Sequence, residues 1–231
     1  MFRSCAAAVA AALVCTTASA TPLVIQPDEA ASKDVIIYAG VPTLNFNDLA
    51  GYNKLLASSK TDNGHDVGSL IQFDLPLNSS IGANEAATLH LYVGVTSAAG
   101  FGADPTASHP IQADFFRVTS TWDETSVTWN SKPNYDPTSI ASTSISAINQ
   151  WISVDVTATV QGWINDSSTN HGLLILQPNQ VKDGVVRVAA VYDSASGTNQ
   201  PYLQIAAVPE PGTLALFGMA AVLGLRRMRR D

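Results

Sequence analysis

The chain has 231 residues, 46% of them hydrophobic and 13% charged, with a formal net charge of −7. That sign disfavours nucleic acid and anionic lipid, both of which select basic surfaces. Its two cysteines, Cys5 and Cys15, stand close to the N-terminus. Disulfides and thiolate metal sites are therefore excluded as staples for the rest of the chain.

Residues 1–20 make the first element. Arg3 supplies a positive start, an apolar and small-residue run follows from Cys5 to Val14, and Ala18-Ser19-Ala20 closes it. This is the pattern of a cleaved signal peptide, with Thr21 as the mature N-terminus. The run falls short of the roughly 20 apolar residues that span a bilayer, which disfavours an uncleaved anchor. A lipoprotein reading, with Cys15 as the lipidated residue, is disfavoured by the bulk of Val14 before it.

Residues 21–207 read as one domain. Setting aside the basic residues of the two ends, with Glu210 and Asp231, leaves 7 basic and 17 acidic residues and a formal −10. Short runs rich in β-branched and aromatic residues occur at 35–38, 70–73, 88–95, 111–118, 151–156, 173–176, 185–192 and 202–205. Clusters of Gly, Asn, Asp, Ser and Pro separate them, as turns separate strands. In 88–93 the alternation puts Leu89, Leu91 and Val93 on one face and Thr88, His90 and Tyr92 on the other. Such strands suit an all-β fold, a jelly-roll-like sandwich of two antiparallel sheets with one face of each wet. One segment differs. Over 155–166, Val156, Val160, Trp163 and Ile164 recur at helical spacing, predicting one short helix capped by Asp155 or Thr157.

Residues 208–231 form the last element. Pro209-Glu210-Pro211-Gly212 interrupts regular structure, because proline fixes φ and removes a donor. An apolar run follows from Thr213 to Leu225, then the basic cluster Arg226-Arg227-Met228-Arg229-Arg230. This order predicts a transmembrane helix with its basic end cytoplasmic.

Pro209, Glu210 and Pro211, with the apolar run and basic end, resemble a PEP-CTERM sorting tail. The resemblance implies recognition by an exosortase, a membrane protease-transpeptidase. It also implies a Gram-negative bacterium that makes extracellular polysaccharide. The protein would be exported, held transiently in the membrane, then placed at the surface or in the matrix.

The body resembles the DNRLRE domains, which are grouped with carbohydrate-binding modules. The likeness is carried by 69–75 (SLIQFDL), 87–92 (ATLHLY), Trp122-Asp123-Glu124, 127–130 (VTWN) with Pro133, 154–157 (VDVT) with Val160 and Trp163, 170–173 (NHGL), and 201–205 (PYLQI). The charged run that names the family is replaced here by Tyr192-Asp193-Ser194-Ala195-Ser196, so the role of those charges does not carry over. The resemblance implies a jelly-roll-like sandwich and contact with polysaccharide.

Trp122, Trp129, Trp151 and Trp163 are the first sugar-stacking candidates, since a flat indole matches the apolar face of a pyranose. Trp163 lies on the helical stripe and Trp129 in an alternating run, which assigns both to the core. Trp122, between Ser120-Thr121 and two acids, reads as more exposed. Tyr135 and Phe101 sit in Pro- and Gly-flanked segments that read as loops. Trp122, Tyr135 and Phe101 are therefore the sugar-binding candidates, weighed against ordinary packing and loop roles.

For a structural calcium, Asp28, Glu29, Asp34 and Asp193 form a weak set near the chain ends. A second, Asp62-Asn63-Gly64-His65-Asp66, lacks the later acid of a complete calcium loop. No His pair stands at metal spacing, and no nucleophile elbow, phosphate-binding glycine loop or dinucleotide fingerprint occurs. Asp123 and Glu124 are neighbours and cannot face each other across a glycosidic bond. No catalytic residue is assigned and no cofactor beyond that calcium. The expected function is a non-catalytic, polysaccharide-associated binding module. A ligand-free structural surface protein and a polysaccharide lyase or hydrolase are the alternatives.

Overall fold

The computed structural model describes residues 21–26, 33–47, 55–59, 66–76, 79–82, 85–94, 103–177, 188–192 and 198–207. The expected leader, the sorting tail with Pro209, Glu210 and Pro211, and Phe101, Asp28, Glu29 and Asp193 lie outside them. So do Asp62 to His65. Among the described residues no helix is long and apolar enough to cross a membrane.

Among the described residues, eleven strands and one α-helix occur in the order β1 (Leu23–Ile25), β2 (Lys33–Tyr38), β3 (Leu55–Ser59), β4 (Val67–Gln72), β5 (Glu85–Val93), β6 (Ile111–Val118), β7 (Tyr135–Ile145), β8 (Gln150–Asp155), α1 (Thr157–Asn165), β9 (Leu173–Leu176), β10 (Val188–Tyr192) and β11 (Tyr202–Ala207). Every strand pairing is antiparallel. One layer runs β1-β11-β5-β8 and the other β2-β4-β9-β6-β7. The β3–β10 pair joins them at single rungs, Val191 opposite Val93 and Ser59 opposite Val67.

The expected sandwich of two antiparallel sheets is thus present. The strands predicted at 111–118 and 173–176 have the observed bounds, and six others overlap observed strands. Strands β1, β3 and β7 were not foreseen. β7 is rich in Ser and Thr and carries Pro137, which an edge strand tolerates because its outward N–H groups need no ladder partner. The helix runs Thr157–Asn165 with Val156 at its N-cap position and no side-chain cap bond there, correcting the expected caps. Asp155 instead closes a turn just before it, accepting from the Thr157 N–H at 2.9 Å and its hydroxyl at 2.7 Å.

Among the described residues two apolar cores form. The first fills the space between the layers with Ala87, Leu89, Leu91 and Val93 of β5, Ile111 and Phe115 of β6, and Val160 and Trp163 of α1, among others. Fully burying each large side chain contributes about 1.5–3 kcal/mol. The second core lies on the far face of the second layer. There Val35, Leu70, Leu174 and Phe116 form one rung across β2, β4, β9 and β6, covered by Phe46, Trp122 and Val127 from segments 39–47 and 119–134. Asn45 ties the two covering segments by donating to Glu124 O (2.8 Å) and Val127 O (2.7 Å). Asn130 N–H reaches Pro42 O at 3.0 Å. The second sheet is therefore roofed. The described part of the first sheet's outer face stays open.

Candidate functional site

On that open face the alternation of β5, foreseen from the sequence, points Thr88, His90 and Tyr92 outward, half-buried. The register of the neighbours decides what meets them. Trp151 of β8 stands opposite Tyr92, Ser153 of β8 and Tyr202 of β11 flank His90, and Asp155 and Gln204 flank Thr88. Val24 of β1, 48% exposed, extends the last rung beside Gln204. Rungs on one face repeat about every 7 Å along a strand.

The result is an aromatic cluster assembled from three strands. The His90 and Tyr202 rings stack at 4.4 Å with 11° between their planes. Trp151 meets Tyr92 edge-on at 5.4 Å and Tyr202 edge-on at 5.2 Å. Although clamped on both sides, Trp151 keeps 41% of its surface exposed. The Ser153 hydroxyl and His90 Nδ1 are 2.9 Å apart. Burial beside the Tyr202 ring lowers the His90 pKa below its ordinary value, favouring the neutral imidazole.

Two asparagines set the entry of the strands that carry this cluster. Asn149 and Asn199 are the described non-glycine residues with positive φ, each at 57°, one before β8 and one before β11. Asparagine tolerates the left-handed region better than most residues. The Asn149 N–H also bonds Val93 O at 2.7 Å, fixing Trp151 opposite Tyr92.

Beside the cluster, an open groove of about 950 Å³ lies along β7 and β8 and reaches the start of α1. Ile140 and Ala141 line it on the β7 side, and Ser153, Asp155 and Gln161 are among its polar groups. Glu85 also lines it, with its Oε2 accepting the Gly82 N–H at 2.7 Å. The bonds from Thr157, first its hydroxyl and then its N–H, hold the Asp155 carboxyl below the usual range. It is therefore ionised at neutral pH, the wrong state for a general acid. These two carboxylates shape a polar rim and close local turns.

Apart from Trp151, the described residues singled out in the sequence fall elsewhere. Trp122 is 7% exposed, in the second core, with its indole N–H donating to His171 O at 2.9 Å and the Lys33 ammonium 5.6 Å from its ring centroid. Its expected exposure is overturned because segment 119–134 folds down onto the sheet. Tyr135 opens strand β7 instead of lying in a loop, and packs edge-on against Phe116 at 5.5 Å. Trp129 is half-buried against the second core beneath Lys132, and Trp163 is 2% exposed in the first. Of the calcium set, Asp34 is the described member. It is buried in β2, and its N–H donates to Glu124 Oε1 at 2.8 Å. Among the described residues no group of three or more His, Cys, Asp or Glu is placed to hold a metal.

Sequence reasoning had named Trp151 as a stacking candidate without placing it. It missed Tyr92, Tyr202 and His90 as a set. The available signal was the outward face of 88–93, which carries two rings on consecutive rungs.

Comparison with curated proteins returned no match. The family model of the PEP-CTERM protein-sorting motif matches residues 207–230, which includes Pro209, Glu210 and Pro211. That of carbohydrate-binding module family 96 matches residues 30–207, most of the chain and every strand of the sandwich except β1. On that match, the chain belongs to carbohydrate-binding module family 96.

Proposed function

We propose that this protein is a non-catalytic glycan-binding module, exported and sorted by an exosortase to the surface or extracellular matrix of a Gram-negative bacterium. Its ligand surface is the outer face of β8, β5 and β11. One observation carries this reading: Trp151 stays 41% exposed while two other rings, Tyr92 and Tyr202, hold it in place. An aromatic surface left open in this way marks a place where something docks. A pyranose offers the flat C–H face that suits it, and Ser153, Thr88 and Gln204 stand on adjacent positions to meet hydroxyls. The sorting motif supports the location, and the carbohydrate-binding family supports the class of ligand.

The test is affinity electrophoresis of the mature protein through gels containing the host's own exopolysaccharide, with Trp151→Ala as the comparison. The wild type is retarded and the variant, still folded, runs freely. Equal migration of both, with or without the polysaccharide, contradicts the reading.

A further inference from the structure

We propose that the end of the first sheet where the chain leaves β11, formed by Ala207, Glu85 and Gly82, is the surface against which the exosortase sits while it grips Pro209, Glu210 and Pro211. This rests on the sorting function proposed above. It adds where the enzyme touches the folded body and which way the Trp151 platform then faces.

Chain reach sets the distance. The match to the sorting motif begins at Ala207, the last residue of β11, and one residue, Val208, separates that strand from Pro209. Each residue spans at most about 3.6 Å, so Pro209 lies within about 7 Å of Ala207 and Pro211 within about 14 Å. A specific protein contact covers about 800 Å² on each partner, a patch roughly 28 Å across. An enzyme surface of that size holding the motif meets the end of the sheet as well.

The register decides what it meets. Ala207 stands opposite Glu85, and Ala206 opposite Ala86. Neighbouring strands are about 4.8 Å apart, so Glu85 borders the exit directly. Glu85 is half-buried, and its Oε2 accepts the N–H of exposed Gly82 at 2.7 Å, which holds Gly82 beside it. Strand β1 runs antiparallel to β11 with Leu23 opposite Ile205, so exposed Thr21 and Pro22 lead toward the same end from the other side. The side chains of Ala86, Ala206 and Ala207 are too short to hold a partner off.

Reach also favours the enzyme over the bilayer as the partner of this surface. The apolar run starts at Thr213, six residues beyond Ala207, which allows about 22 Å of separation. The sheet can stand clear of lipid at that distance, whereas whatever holds the motif has no such slack. Tyr92 lies seven residues from Glu85 along β5, about 23 Å away, with Trp151 opposite it. The platform is therefore outside the enzyme's patch and stays open to glycan while the tail is held.

The experiment uses the mature chain with its tail and the host's exosortase in vesicles of phosphatidylethanolamine and phosphatidylglycerol. Both native cysteines precede residue 21, so Glu85→Cys, Gly82→Cys and Trp151→Cys each give one thiol for a benzophenone label. After illumination, mass spectrometry identifies the adducts. Exosortase adducts are expected from Glu85→Cys and Gly82→Cys and none from Trp151→Cys. A Gly-Ser spacer of about twelve residues after Ala207, averaging about 19 Å, should remove both adducts while the tail is still cleaved. Lipid adducts in place of enzyme adducts overturn the choice of partner, and adducts from Trp151→Cys as strong as the others overturn the orientation. Adducts that survive the spacer unchanged overturn chain reach as their cause. Cleavage of the tail with no adduct at Glu85 or Gly82 overturns the surface and leaves the sorting function standing. A tail that the exosortase leaves intact overturns the sorting function itself, and this surface with it.

Discussion

The outer faces of the two sheets are built from similar residues and end in opposite states. Trp122, Tyr135 and Phe116 stand over the second sheet, and Trp151, Tyr92 and Tyr202 over the first. Segments 39–47 and 119–134, tied by Asn45, close over the former and turn its rings into a second core. The latter rings hold one another across strands and keep Trp151 in solvent. Aromatic content does not separate a core from a binding face. Whether a neighbouring loop has its own apolar residues and tethers to lie down on the sheet does.

The sharpest way to break the comparison is to remove one tryptophan from each face. Trp122→Ala should cost about 3–5 kcal/mol, since it leaves a cavity and strands the His171 carbonyl. Trp151→Ala should cost no more than about 1 kcal/mol, the scale of an exposed cross-strand pair. Urea unfolding of both variants measures the difference. Equal costs would mean that the two faces are not built differently.

This contrast was only partly legible in the sequence. Alternation placed Thr88, His90 and Tyr92 on one face, and the helical stripe put Trp163 in the core, because both patterns are local. Trp122 was misread because polar neighbours suggested exposure, whereas the chain there folds back over strands that are distant in sequence. The pairing of His90 with Ser153 spans 63 residues. No local spacing announces that register, so the cluster was invisible until the sheet assembled it. β7 was missed for a related reason. Its Ser- and Thr-rich run becomes a strand only by pairing with β6.

A second prediction concerns Gly172, which meets the end of β6 where the roof segment 119–134 begins. Gly172 has φ +80°, and a Cβ added there would lie 2.3 Å from Ile71 O. Its own carbonyl accepts the Val118 N–H at 3.1 Å. Gly172→Ala should therefore destabilise by about 1–3 kcal/mol, from strain and backbone displacement together. Thermal unfolding reads this directly, and an unchanged midpoint would contradict the close approach.

A smaller effect separates the faces by pH. Burial, and next among the raising influences the Asp34 charge, hold the Glu124 pKa above its ordinary value, while the Asp34 N–H bond works against them. A raised acid binds its proton more tightly when folded. Stability is thus greatest below the unfolded glutamate value of about 4.3 and declines as pH rises through the folded pKa. Asp155, held low on the open face, has the opposite sign. Its contribution is present above the ordinary aspartate range and fades as pH falls through its folded pKa. Glu124→Gln should flatten the decline on raising pH, and Asp155→Asn the loss on acidification. Denaturation series at stepped pH check both signs.

The most direct measurement is hydroxyl-radical footprinting of the mature protein with and without the host's own exopolysaccharide, read residue by residue. Protection concentrated on Trp151, Tyr92 and Tyr202, with Trp129 and Tyr135 unchanged, is the predicted result. Protection on the roof of the second sheet, with Trp151 as reactive as before, would contradict it.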